Sequence, residues 1–172
     1  MARLYYVDGY NILHASSALR PVARRDFERA REMLIDKVAL LCINTGKRVI
    51  VVFDGRGHRA EQVAHGRPVP GLEVVYASGN QTADAYIERQ VYLFPDKFDV
   101  VVVSNDRGMR DLCRGMGALV MEADNFLAET RESREFVDAA VLHSRAPVPT
   151  RLEDHLDGDA IAQLRRLRDR LK

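Results

Sequence analysis

Residues 100–111 read Val-Val-Val-Val-Ser-Asn-Asp-Arg-Gly-Met-Arg-Asp. Four consecutive β-branched residues do not alternate apolar with polar, so this is not a strand with one wet face. It reads as a parallel strand covered on both sides, followed at once by polar residues and then by a helical pattern. A second run, RVIVVF at 48–53, has the same character. Shorter runs at 4–7 (LYYV), 72–76 (LEVVY) and 119–121 (LVM) complete the predicted strands. Apolar residues at three- and four-residue spacing predict helices over 27–43, 82–93, 107–116 and 125–142. Strands alternating with helices predict a doubly wound α/β fold, with a central, mostly parallel sheet and right-handed crossovers.

Two segments stand outside this alternation. Residues 55–71, GRGHRAEQVAHGRPVPG, are rich in glycine, proline and arginine and are expected to form a long, functional loop. From Ala146 the chain reads APVPTRLEDHLDGDAIAQLRRLRDRLK, a proline linker and then a basic helical tail. That tail reads either as a solvated helix with cations near its C-terminus or as an RNA or ribosome contact. The expected organisation is therefore one domain over 1–145 and a tail over 146–172.

A chain of 172 residues is long enough for one sizeable core. Its net charge of +1 produces no bulk attraction to nucleic acid, which leaves only local basic patches for such a partner. Cys42 and Cys113 each fall inside an apolar helical pattern and read as buried thiols, suited to a reducing cytosol. No Cys/His metal-binding spacing is present. The N-terminus enters a strand directly, without a leader pattern. No apolar run approaches the roughly 20 residues of a membrane span. A cytoplasmic protein with no membrane partner is expected.

In a parallel α/β sheet all strand C-termini lie on one edge, where ligands bind near the switch in strand order. Asp8 and Asn11 follow the first strand, and Asp54 follows the second. Asp84 opens the helix after the third, and Ser104, Asn105 and Asp106 follow the fourth. Each has a plain alternative. Asp84 and Asp106 suit a first helical turn, Ser104 suits a cap, and Asp54 and Asn11 suit turns. Asp8, at the end of a core strand, is the hardest to explain that way. Several carboxylates gathered on one edge would repel one another unless a cation joined them. All-oxygen ligands favour Mg²⁺ or Mn²⁺. Such an ion activates water and stabilises a leaving oxygen, which suits phosphodiester hydrolysis. Glu88 shares a helix face with Asp84 and reads either as a further ligand or as a solvated neighbour.

The stretches VDGYN, VVFDGRG, TADAYIERQV and VVVSNDRGMRD together resemble the NYN branch of the PIN-like nucleases, and within it the YacP-like group. The resemblance runs from residue 4 to about 123. It implies a three-layer α/β/α PIN-like fold and a metal-dependent ribonuclease. The YacP-like group includes a ribosome-associated endoribonuclease that cleaves mRNA, so single-stranded RNA, with a ribosome beside it, is the implied partner. Asp8, Asp84 and Asp106 would be the metal-binding acids, with Asp54 used variably. Asn11 would orient the site, and Ser104 would sit beside the metal or the scissile phosphate. Asp111 is either a further acid or a helix-surface residue.

Arg56, Arg59, Arg67 and Arg107 flank the acidic edge and could neutralise phosphates along a strand. Tyr10 could stack on a base or be a buried ring. His14, His58 and His65 read as structural or solvated. Hydrolysis without a 2′-hydroxyl step would leave 5′-phosphate and 3′-hydroxyl ends. A phosphoacceptor receiver is disfavoured because Asp8 is followed by Gly9 and no lysine follows the last strand. A haloacid-dehalogenase phosphatase needs Asp-x-Asp, and position 10 is Tyr. The remaining alternative is a non-catalytic RNA or ribosome adaptor on the same fold.

Overall fold

The structure is a computed structural model describing residues 3–55, 68–77 and 81–145. Arg56, Arg59, Arg67, His58 and His65, most of the predicted long loop, and the whole tail from 146 lie outside the described residues.

The run at 100–103 is a fully buried strand, as its unbroken valines require. Five strands form one parallel sheet: β1 (Leu4–Asp8), β2 (Arg48–Asp54), β3 (Leu72–Ala77), β4 (Val100–Val103) and β5 (Leu119–Met121). Their order across the sheet is β3-β2-β1-β4-β5. The chain therefore builds outward from β1 to β3, then returns to place β4 on the other side of β1. That reversal puts the switch point between β1 and β4, where Val7 sits opposite Val103.

The helices are α1 (Gly9–Ala15), α2 (Arg20–Ala23), α3 (Phe27–Thr45), α4 (Ala83–Leu93), α5 (Arg107–Gly115) and α6 (Ala123–Arg145). One face of the sheet buries Val7, Val51 and Val103 against Ile12, Leu13, Leu34, Val38 and Phe126, from α1, α3 and α6. The other buries Tyr6, Val52 and Val102 against Ile87, Val91, Met109 and Cys113, from α4 and α5. Fully burying each such aliphatic side chain contributes about 1.5–3 kcal/mol. The result is a three-layer α/β/α fold with a parallel sheet.

The chain divides into two compact units after Phe136. The sheet, α1 to α5 and the part of α6 up to Phe136 belong to the first. Of the second, residues 137–145 are described and helical.

The predicted helix at 27–43 appears as α3, started by Asp26, whose side chain accepts from Arg29 N–H. Gly46 ends it in the left-handed region at φ 68°, a position that favours glycine. Periodicity did not reveal α1 and α2. Seven and four residues are too few for a repeat to register.

Candidate functional site

Asp8 is the last residue of β1 and the N-cap of α1, so a buried strand turns into a helix across a single carboxylate. Asn11 N–H donates to Asp8 Oδ1 at 3.0 Å. Gly9 makes this turn possible. A methyl group on it would lie 2.2 Å from the ring of Phe53, which is fully buried on β2. Asp8 itself is only 7 % exposed.

The other acids arrive from separate elements. Asp54, at the end of β2, accepts from Ala83 N–H at 2.6 Å and so holds the first residue of α4. Thr82 caps the same helix through Ala85 N–H. Asp84 is therefore free of the capping role that its position suggested. Asp106 caps α5, accepting from Met109 N–H at 2.9 Å, and Ser104 Oγ accepts from Asp106 N–H at 3.1 Å. Ser104 is completely buried. Asn11 Oδ1 accepts from Asn105 N–H at 2.7 Å, and Asn105 Oδ1 accepts from Ala123 N–H at 2.9 Å. Two asparagines thus tie the starts of α1, α5 and α6 together.

Electrostatics joins these acids into one group. The Asp8 carboxyl is pushed up to about 6 by burial and by the charges of Asp84 and Asp54, against the opposing donation from the Asn11 and Tyr10 backbone. Asp84 is raised by burial and by Asp106 and Asp54, while a hydrogen bond with Asp8 lowers it. Asp8 and Asp84 thus perturb one another, as happens when two carboxyls occupy one site. Among the described residues, no arginine or lysine acts on either group.

The raised carboxyls mark where positive charge is wanted, and an all-oxygen donor set suits a hard divalent ion. Each carboxylate has about four lone-pair sites, so one cap bond leaves capacity for a cation. Among the described residues no three such side chains are drawn close enough to form a ready-made ligand set. Mutual repulsion opposes such closure in the absence of a counter-charge.

The remaining expected residues divide. Glu88 lies one turn beyond Asp84 on α4, and both acids act on Cys113 of α5. Arg107, the first residue of α5, is exposed beside Asp106. Tyr10 stacks on Phe27 at 4.8 Å and meets Phe53 edge-on at 6.0 Å, which commits its ring to an intramolecular stack. Asp111 is exposed and paired with Arg114. His14 is exposed in the last turn of α1.

Two features escaped the sequence. Asn105 was visible only as a neighbour of Ser104 and Asp106. Its bonds reach Asn11 and Ala123, too distant in the chain to show a spacing signal. Arg31 of α3 lies over the rings of Phe27, Phe53 and Tyr76 at 5.6, 5.8 and 5.2 Å, and pairs with Glu28. On a helix it looked like an ordinary surface cation.

A family model described as a YacP-like NYN domain matches residues 5–169. The chain belongs to the YacP-like NYN domain family. The match extends into the tail, beyond the motifs that the sequence displays by eye. The YacP protein of Bacillus subtilis strain 168, described as uncharacterized, is 32% identical over 139 residues, covering 78% of this chain and 79% of that one. A crystal structure of Rae1 (YacP) from Bacillus subtilis is similar with a TM-score of 0.71 at 28% identity, over 98% of this chain and 95% of that one. A mutant of the same protein gives 0.70 at 30% identity, over 86% of each chain. This YacP-like family is nuclease-like, and RNA is the ligand its NYN domain suggests. Among the described residues no helix is long and apolar enough to cross a membrane.

Proposed function

We propose that this protein is a metal-dependent endoribonuclease acting on single-stranded RNA, with mRNA at the ribosome as its working substrate. The observation that carries the reading is the Asp8 carboxyl, raised to about 6 by burial and by the charges of Asp84 and Asp54. Structural carboxylates do not need that company. Perturbed acids at a switch point mark a functional site.

Asp8, Asp54, Asp84 and Asp106 would hold Mg²⁺ or Mn²⁺, which when bound supplies Lewis-acid stabilisation of charge at a phosphate. The side chains have distinct tasks. Asp8 and Asp84, both raised by neighbouring acids, would be the acids most relieved by a bound cation. Asn11 is fixed through Asn105 N–H and keeps its amide pointed by that bond. Ser104, buried and bonded to Asp106 N–H, holds Asp106 in register with the sheet edge. Arg107 offers its guanidinium to a flanking phosphate. Glu88, four residues on from Asp84 along α4, would be a further ligand. Hydrolysis would leave a 5′-phosphate and a 3′-hydroxyl.

The test uses end-labelled single-stranded RNA, alone and on translating ribosomes, with Mn²⁺, Mg²⁺ or EDTA. Internal cuts that need metal and vanish in Asp8→Asn are expected. Cleavage that persists in EDTA, or that Asp8→Asn leaves intact, would sink the reading. Cuts seen only on ribosomes would identify the presenting partner.

A further inference from the structure

On the α1–α3–α6 side of the sheet lies a cavity of about 210 Å³. Its chemistry is set by Ser16, Ser17, Lys37, Asp124, Thr130 and Arg131. We infer that this cavity binds a phosphate group, with the backbone of an RNA strand as its source.

Charge is the first support. Two cations face one carboxylate, a local excess of positive charge in a nearly neutral chain. Among the described residues, none of the ion pairs involves Lys37, Arg131 or Asp124. Lys37 and Asp124 line one cavity yet do not pair, so both cations remain available to an anion.

Hydrogen bonding is the second support. Ser16 is buried, and its Oγ accepts from Leu19 N–H at 3.2 Å. With its oxygen engaged as acceptor, the hydroxyl retains its hydrogen to donate. Thr130 Oγ1 already donates to Leu127 O at 2.8 Å and is not a free donor. The available set is therefore one buried hydroxyl, the exposed Ser17, an ammonium and a guanidinium. Every member donates, and charge-assisted donors of this kind suit phosphate oxygens.

Size and position are the third support. The volume is below the roughly 300–1,000 Å³ of pockets that enclose drug-sized ligands, so it suits a phosphate better than a whole nucleotide. α1 connects it to Asp8. Seven helical residues rise about 10 Å, a span that a single strand covers in a few nucleotides. A strand with one phosphodiester at the acids can therefore place a later phosphate here.

The test is run in EDTA, so that binding is read without turnover and independently of the nuclease reading. Full-length ¹⁵N-labelled protein is titrated with inorganic phosphate and, separately, with a short 5′-hydroxyl oligouridylate. Saturable shifts confined to amides at 15–18 and 124–131 are expected with phosphate. Lys37→Gln/Arg131→Gln should lose them while the rest of the spectrum stays in place. The same variant should bind the oligonucleotide at least about tenfold more weakly, with a salt slope lower by about 1–2. Asp124→Asn should tighten both ligands. Absence of saturable shifts at the cavity, or equal shifts in the double variant, would overturn the site. Phosphate binding with unchanged oligonucleotide affinity would keep the site and reject the strand as its source.

Discussion

Asp8 does two jobs that pull in opposite directions. As a cap it stabilises α1, and as a desolvated acid it destabilises the fold when ionised. Its folded value of about 6 stands above the 3.8 of an ordinary aspartate. The folded state therefore binds more protons between those values, and stability falls as pH rises through that window. About 2 units corresponds to about 3 kcal/mol at neutral pH. Asn keeps a capping oxygen and carries no charge. In EDTA at pH 7, Asp8→Asn is therefore expected to be more stable than the parent by up to about 3 kcal/mol, the gain shrinking as pH falls from about 6 and vanishing near the unfolded value. Mn²⁺ should then raise the melting temperature of the parent and not of the variant. Thermal unfolding across pH, with and without metal, checks both halves. A variant less stable than the parent at pH 7 would show that the cap outweighs the desolvation.

At the scale of elements, the candidate centre is a set of helix starts fastened to one another. Asp54 bonds the first turn of α4, and Asn105 bonds the first residue of α6 while its own N–H is held by Asn11. Asn105→Ala leaves Ala123, a buried residue, with an unpartnered N–H. A loss of about 1–3 kcal/mol is expected by chemical denaturation. Metal-dependent cleavage should fall with it, although no acid has changed. Asn105→Asp retains the acceptor and should recover most of the stability.

This is also where reading from sequence stopped. Buried β-branched runs at 48–53 and 100–103 made strands legible, because burial on both faces leaves a pattern within the run itself. The acids at the strand ends were legible because a parallel sheet places all such ends together. A bond between Asn105 and Ala123 has no pattern of its own, so α6 begins two residues earlier than spacing suggested. Asp8 had no visible structural duty for a related reason: α1, the helix it caps, is too short to show periodicity.

For the whole molecule, charge would decide how the proposed RNA substrate is held. A net charge of +1 means that affinity rests on a few placed cations rather than on a general field. Binding of naked single-stranded RNA in EDTA should therefore be weak, with a salt slope of only about −0.7 per contacted phosphate over a few contacts. Fluorescence anisotropy against salt concentration measures this. A steep slope reporting many phosphates would show that the protein grips free RNA unaided and needs no presenting partner. The fold is fastened away from the acids as well. Lys47 bonds Glu129 of α6 at 2.6 Å and lies 4.9 Å from the ring of Tyr5. Its ammonium is held above the usual lysine range by Glu129, against a lowering by burial.

The order of strands has a consequence for how the protein is made. β1 lies in the middle of the sheet but leaves the ribosome first, and it must wait for β2 on one side and β4 on the other. Asp8 cannot meet Asp106 until β4 has been synthesised. At about 5–20 residues per second, that delay is roughly 5–20 seconds. Asp54 and Asp84 follow during that interval and Asp106 comes last, so the centre is complete only when nearly the whole sheet is in place.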